Sequence, residues 1–409
     1  MEHLEHPLDQ LAKVAVQVGL GLREGQELVI TAPIEAVPLA RKITEQAYRA
    51  GSPLVTVLYD DDAGNLLRYQ HAPEASFDKT QKWLFNGMAD AFQDGAARLH
   101  IAGNDPSLLK GQNPESVARA NRARSMSYKR VIDLITTHHI NWTIVAFAQP
   151  AWARTVFPND PQEVAVDKLW DAIFKASRLD TPDPVVAWAA HNQNLHNRVQ
   201  YLNERRYQAL HFKGPGTDLV VGLADDHQWA GGAVKAKNGL ICNPNIPTEE
   251  VFTAPHKDRI EGYVRSTKPL SYQGSLLEDI QVRFEKGRIV EARARSGADV
   301  LNQVLQTDEG ARSLGEVALV PHSSPISQSG LLFYNTLFDE NAASHIALGQ
   351  AYSQCFLGGN NLTSEELAAR GACSSLIHID WMIGSSEVDV DGISQSGQAE
   401  PLMHGGEWV

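Results

Sequence analysis

The stretch Glu27–Tyr59, ELVITAPIEAVPLARKITEQAYRAGSPLVTVLY, sets the architecture of the first half of the chain. Glu27–Thr31 (ELVIT) is a short apolar strand, Pro38–Ala50 reads as a helix closed by Gly51, and Pro53–Tyr59 carries a second strand rich in Val and Leu. Strand, helix and strand with short connections form a βαβ unit, and continuous apolar strands suit a parallel sheet covered on both faces. Upstream, Leu4, Leu11, Val14, Ala15 and Val18 recur at helical spacing. Downstream, Ala97–Ala102 (ARLHIA) and Thr143–Phe147 (TIVAF) continue the strand series, and Pro184–Arg205 reads as one long helix.

From about Leu210 the pattern changes to short alternating runs broken by Gly and Pro. LHF is followed by the turn KGPGTD and then LVVGL; Ile280–Phe284 and Ile289–Ala294 flank Glu285-Lys286-Gly287, the turn of a β-hairpin. The expected organisation is therefore an α/β N-terminal domain over residues 1–205 and an α+β C-terminal domain over residues 206–409. No internal repeat or low-complexity tract interrupts it. No GxGxxG or Walker-type loop follows a strand, so nucleotide binding by those motifs is unsupported.

The chain has 409 residues, of which 43% are hydrophobic and 21% charged, with a formal net charge of −13. That balance argues against nucleic acid as a partner, whose binding rests on a basic surface that releases phosphate counterions. Three cysteines, Cys242, Cys355 and Cys373, without a CxxC pair disfavour both disulfides and thiolate zinc sites and fit a reducing cytoplasm. The opening residues begin acidic and show no secretory leader, and no run approaches the roughly 18 uninterrupted apolar residues of a membrane span. The expectation is a cytoplasmic protein without a membrane partner.

The residues that carry chemistry lie in the second half. In NIPTEEVFTAP, Glu249 and Glu250 are neighbours between Pro247 and Pro255; in extended chain they point to opposite sides, so one of them faces any given site. Taken alone, such a pair is a solvated loop charge. Glu316 stands at the start of the apolar run VALV. In NTLFDENAASHIALGQAY, a helix capped by Asp339 would put Asn341, His345, Leu348 and Tyr352 on one face, with Glu340 at its frayed first turn. His378 and Asp380, two apart in LIHIDWMIG, share one side of a strand. Each alone has a bland structural reading, but these carboxylates, two histidines and a tyrosine beside buried runs need partners of the kind a divalent metal supplies.

Two divalent ions held by Glu, Asp and His, with one carboxylate spanning both, make a co-catalytic hydrolase site that activates water and stabilises an oxyanion. Other hydrolase classes fit less well. There is no HExxH; His138-His139 read as surface or hinge residues, and His191 with His196 as polar positions on the long helix. There is no GxSxG elbow. A glycosidase pair of carboxylates would leave His345 and the His-x-Asp pair without a task.

The longer motifs resemble the thermophilic-type metallo-aminopeptidases, the group that includes aminopeptidases T, S and II. The resemblance is carried by NIPTEEVFTAPHKDRIEGYVRSTKPLSYQG (Asn245–Gly274), GEVALVP (Gly315–Pro321), DENAASHIALGQAY (Asp339–Tyr352), HIDWMIGSSEVDVDGI (His378–Ile393) and the terminal GEW. It implies a two-domain metallopeptidase with a C-terminal catalytic domain, a homodimer enclosing a cavity, and peptides with a free N-terminus as substrates. Carried over by motif, Glu250, Glu316, His345, His378 and Asp380 are implied metal ligands, with Glu340 a sixth, for two divalent ions. Zinc, cobalt, manganese and magnesium all suit this O and N set. Tyr352 is the implied catalytic phenol, Glu316 the carboxylate between the ions, and Glu249 a possible proton acceptor. The competing readings are another two-metal amide hydrolase of dipeptidase type and a non-catalytic metal-binding scaffold.

Overall fold

The computed structural model describes residues 4–272 and 274–409; the first three residues of the stretch read for a leader lie outside it. The chain forms two compact units. One runs to Ala190 and also takes Ala233–Pro247; the other is His191–Gly232 with Thr248–Val409. The division falls inside the helix Pro184–Arg205 and not at the 205/206 line drawn from composition. Leu195 and Leu202 of that helix join the apolar core of the second unit, which a change in sequence pattern does not reveal.

The first unit is built on β1 (Leu28–Pro33), β2 (Val55–Asp60), β3 (Ala97–Ala102) and β4 (Trp142–Ala146). All pair in parallel in the order β2-β1-β3-β4. Helices such as Val37–Arg49, which buries Leu39, Ala40, Ile43 and Ala47, make the crossovers that parallel neighbours require. The βαβ reading of Glu27–Tyr59 thus describes the sheet as it stands. His138 departs from expectation: it is buried, with its ring stacked 6.1 Å from that of Trp142, and is not a surface residue.

The second unit is antiparallel. Its larger sheet contains β5 (Ala209–Gly214), β6 (Thr217–Leu223), β9 (Pro255–Arg265), β10 (Gln281–Glu285), β11 (Arg288–Arg293), β15 (Asp389–Ile393), β16 (Ala399–His404) and β17 (Glu407–Trp408), in the order β11-β10-β9-β6-β5-β15-β16-β17. Lys286 and Gly287, both at positive φ, close the β10–β11 hairpin at the expected place. The smaller sheet contains β7 (Ala230–Gly231), β8 (Val251–Thr253), β12 (Leu314–Leu319), β13 (His345–Gly349) and β14 (His378–Met382), ordered β14-β13-β12-β8-β7. One core serves both sheets: Phe212, Val221, Ile260 and Phe284 of the larger meet Val251, Val317, Leu319, Ile346, Leu348, Ile379 and Trp381 of the smaller. Among the described residues no helix is long and apolar enough to cross a membrane.

Candidate metal centre

The register of the smaller sheet places the site. Glu316 on β12 pairs with Ala347 on β13, and Ala347 pairs with Asp380 on β14. Directly opposed residues in an antiparallel ladder project to the same face, as do residues two apart on one strand. Glu316, Ala347 and Asp380 therefore form a row across three strands, and His345 and His378 share its face. The intervening residues Val317, Ile346, Leu348, Ile379 and Trp381 lie on the core side. At the centre of the row stands Ala347, whose single methyl leaves space between the two carboxylates. Glu250, one residue before β8, falls on the same face as Phe252, while Glu249 takes the opposite side with Val251.

The side chains converge on two points. Ligand-type atoms of Glu250, Glu316 and His345 lie within 4.8 Å of one another, and so do those of Glu316, His378 and Asp380. His345 Nε2 is 3.2 Å from Glu250 Oε2 and 3.5 Å from Glu316 Oε1. His378 Nε2 is 3.3 Å from Asp380 Oδ1 and 3.9 Å from Glu316 Oε2. Glu316 thus turns one oxygen to each histidine and is the residue common to both groups. Each imidazole has its other nitrogen on a carbonyl, His345 Nδ1 with Ala343 O at 3.1 Å and His378 Nδ1 with Gln350 O at 2.7 Å. An Nδ1–H donated there aims the Nε2 lone pair into the site, the usual support of a metal-ligating histidine.

These residues fit divalent ions on two counts. Glu250 Oε2, His345 Nε2 and Asp380 Oδ1 are buried and make no hydrogen bond; polar atoms in that position require a partner, and a cation would supply it. The spacings also suit one, since a tetrahedral shell of N and O ligands at about 2.0–2.1 Å has edges of about 3.3 Å.

The electrostatics point the same way. Burial raises the Glu316 carboxyl above its usual range despite His345 and His378, and burial reinforced by Glu250 and Asp380 raises Glu340 much further. Burial alone would lower the His378 imidazole, but Asp380 and Glu316 outweigh it and bring it to about 10; His345 is raised in the same way by Glu250 and Glu316. Asp380 is lowered because His378 overcomes its burial. Burial, then Glu316 and Asp380, holds the Tyr352 phenol well above its ordinary range, and its ring lies 4.6 Å from that of His378. The site is a buried carboxylate excess, offset only in part by two imidazoles.

Glu249 and Glu250 are buried, with exposures of 4% and 8%, which rules out the solvated-loop alternative. One expectation is corrected. The stretch from Asp339 is not one helix carrying His345 and Tyr352. A helix capped by Asn335 ends at Asp339, Glu340–Ala342 is a single 3₁₀ turn, and His345 opens a strand. Asp339 caps no helix; it accepts hydrogen bonds from the backbone of Phe333 at 2.7 Å and Asn335 at 2.9 Å. Ladder pairing to β12 and β14 on both sides overrides the helical propensity of the Ala-rich run. Gly349, at φ 100° with Ile377 O in the place a Cβ would need, ends the strand and lets the chain turn so that Tyr352 reaches His378 from a loop.

Glu340 stands outside both triads, though the charges of Glu250, Asp380, His345 and Glu316 act on it. Glu249, also outside both triads, lies 3.7 Å from His191 Nε2 on the long helix. Two residues to which the sequence assigned no role hold the parts together. Asn341 accepts the Glu249 N–H at 2.7 Å and donates to Leu337 O at 3.2 Å, fastening the Glu250 segment to the Glu340 turn. Gln350 supplies the carbonyl for His378. Their only sequence signal is an amide side chain beside a buried run.

Residues 4–408 match the thermophilic metalloprotease (M29) family. The chain belongs to that family. Aminopeptidase T of Thermus thermophilus is 55% identical over 409 residues, covering all of both chains. Aminopeptidase 2 of Geobacillus stearothermophilus is 44% identical over all of this chain and 99% of its own, and aminopeptidase AmpS of Bacillus subtilis is 42% identical over all of both. Among solved structures, wild-type AmpT from Thermus thermophilus superposes with a TM-score of 0.95 at 54% identity, covering 99% of this chain and 100% of that one. As an M29 metalloprotease the chain is a hydrolase of peptide bonds that uses divalent metal.

Proposed function

We propose that this M29 metalloprotease is an aminopeptidase that removes the N-terminal residue of peptides at a centre holding two divalent ions. The observation that carries the reading is the sharing of Glu316 by the Glu250–His345 and His378–Asp380 groups, one carboxylate oxygen towards each. The aminopeptidase names of relatives at 42–55% identity support the choice of substrate end. Glu250 and His345 would hold one ion, His378 and Asp380 the other, Glu316 both, with Glu340 as the outer carboxylate of the set. Zinc, cobalt, manganese and magnesium remain compatible with these donors. When bound, the ions supply Lewis acidity and an activated water.

The remaining work falls to the chain. Ala343 O and Gln350 O fix the two imidazoles so that the donor atoms are set before substrate arrives. The Tyr352 phenol, protonated and packed against His378, donates a hydrogen bond to the oxyanion that develops on the scissile carbonyl. The Glu249 carboxylate belongs to neither ligand group and lies 3.7 Å from His191 Nε2, so the reading gives it a scaffold role and not that of proton acceptor. The resemblance supports a homodimer, and three unbonded cysteines suit a reducing cytoplasm.

Exopeptidase selectivity requires the substrate's free amine at the centre. The expected result is rapid hydrolysis of leucyl-4-nitroanilide and a loss of more than about 100-fold in kcat/KM for its N-acetyl counterpart, the scale on which a site built for a polar group rejects an analogue lacking it. Equal rates on the two would point to a general amide hydrolase.

A further inference from the structure

Among the described residues of the smaller sheet, Phe252 on β8 is the one large apolar side chain that is not fully buried. The ladder fixes which way it points. Phe252 pairs with Ala230 on β7 and with Ala318 on β12, and Ala318 pairs with His345 on β13. Directly opposed residues project to one face, so Phe252 stands in the His345 row on the side of the metal centre, while its neighbour Val251 joins the core behind the sheet. On both sides along that row its neighbour is an alanine, and a single methyl leaves the ring largely uncovered.

The same geometry sets its distance from the centre. Glu250, two residues before Phe252, brings Oε2 to 3.2 Å from His345 Nε2 on β13. The two ligands meet over β12, the strand between them, so their meeting point and Phe252 stand about one strand spacing apart, roughly 4.7–4.9 Å. Behind the ring lies a buried cluster that includes Ala254, Ala351, Cys355 and Phe356, and Tyr352 packs against that cluster too. Tyr352 lies 4.6 Å ring to ring from His378, and the charges of Glu316 and Glu250 act on the Cys355 thiol. The apolar surface that begins at Phe252 therefore runs beside both ligand groups.

We propose that Phe252 is a specificity-determining residue: its half-exposed ring, beside the Glu250–His345 group, forms the apolar wall that receives the side chain of the substrate's N-terminal residue. This rests on the aminopeptidase reading above. Long apolar side chains bury their surface on the ring, whereas that of alanine is too short to cover it. Ladder pairing on both sides and the cluster behind hold the ring in place before binding, so little ordering cost falls on the substrate.

The test is the ratio of kcat/KM for leucyl- and alanyl-4-nitroanilide, with the leaving group held constant, in the zinc-loaded wild type, Phe252→Leu and Phe252→Ala. The wild type should prefer the leucyl substrate. The expected outcome is a fall of about tenfold in the leucyl-to-alanyl ratio for Phe252→Ala, the lower end of what an apolar pocket discriminates, and a smaller fall for Phe252→Leu. Zinc content should equal that of the wild type in both. A wild type without preference for leucyl over alanyl overturns the proposal whether or not the variants fold. An equal loss on both substrates together with lost zinc also overturns it, by making Phe252 a support of the centre. So does an unchanged anilide ratio with an altered preference between leucylglycine and leucylphenylalanine, which would put the ring on the leaving side. A wild type that hydrolyses the anilides while the variants keep its ratio sinks only the Phe252 assignment. A zinc-loaded wild type idle on every substrate sinks the aminopeptidase reading and this proposal with it.

Discussion

Glu316→Gln is expected to abolish peptidase activity while leaving the fold intact. Glu316 is the only residue common to the two ligand groups, and its two oxygens lie 3.5 Å and 3.9 Å from the two imidazole nitrogens. Glutamine keeps the shape of the side chain and one acceptor oxygen, but it turns an NH₂ donor towards the other half of the centre and removes one negative charge. Changes to partners behind the ligands cost about 10–100-fold in metal affinity or activity; loss of a carboxylate shared by both ions should exceed the upper end of that range. The neighbours of residue 316 in the ladder, Val317 and Leu319, continue to fill the core, so circular dichroism and solution mass should be unchanged. Turnover within tenfold of the wild type in a folded Glu316→Gln protein would remove Glu316 from the centre.

Removal of metal should destabilise the second unit substantially and reversibly. Glu250, Glu316, Glu340 and Asp380 gather four carboxylates around His345 and His378, and burial together with mutual repulsion already raises the Glu316 and Glu340 carboxyls. Two dications match four carboxylates in charge; without them the chain has only protons to relieve the repulsion. An ion present at 100 to 1,000 times its Kd contributes about 2.7–4.1 kcal/mol to the folded state. For a domain of 150–250 residues each kcal/mol moves Tm by about 2–4 °C, so loss of both ions on chelation should lower the calorimetric Tm by roughly 11–33 °C. Re-addition of zinc or cobalt should restore both Tm and activity. A Tm that does not respond to chelation, in protein shown to have lost its metal, would contradict the role given to this cluster.

What the sequence disclosed followed from how local the determining physics was. The βαβ unit of Glu27–Tyr59 was legible because apolar strands and a helix closed by Gly51 are set by neighbouring residues. His378 and Asp380 were legible as a pair for the same reason: alternation along one strand suffices. The segment around His345 was not, because its Ala-rich composition suits a helix and only pairing with strands some 30 residues away on either side makes it β. The same non-locality hid the site's layout. That Glu316 and Asp380 flank Ala347 depends on register across three strands, and register is a tertiary property. Asn341 and Gln350 act through single backbone hydrogen bonds, which leave no periodic trace. The unit boundary within Pro184–Arg205 was hidden too, since one uninterrupted helix contributes Leu195 and Leu202 to the second unit's core.

The proposed centre holds two ions with Glu316 between them. Its most direct test is an anomalous-difference map from crystals grown with zinc, collected on both sides of the zinc absorption edge. Two peaks per chain are expected, one bounded by Glu250 and His345, the other by His378 and Asp380, with a Glu316 oxygen on each. A single peak at saturating zinc, or two peaks with Glu316 turned away from either, would contradict it.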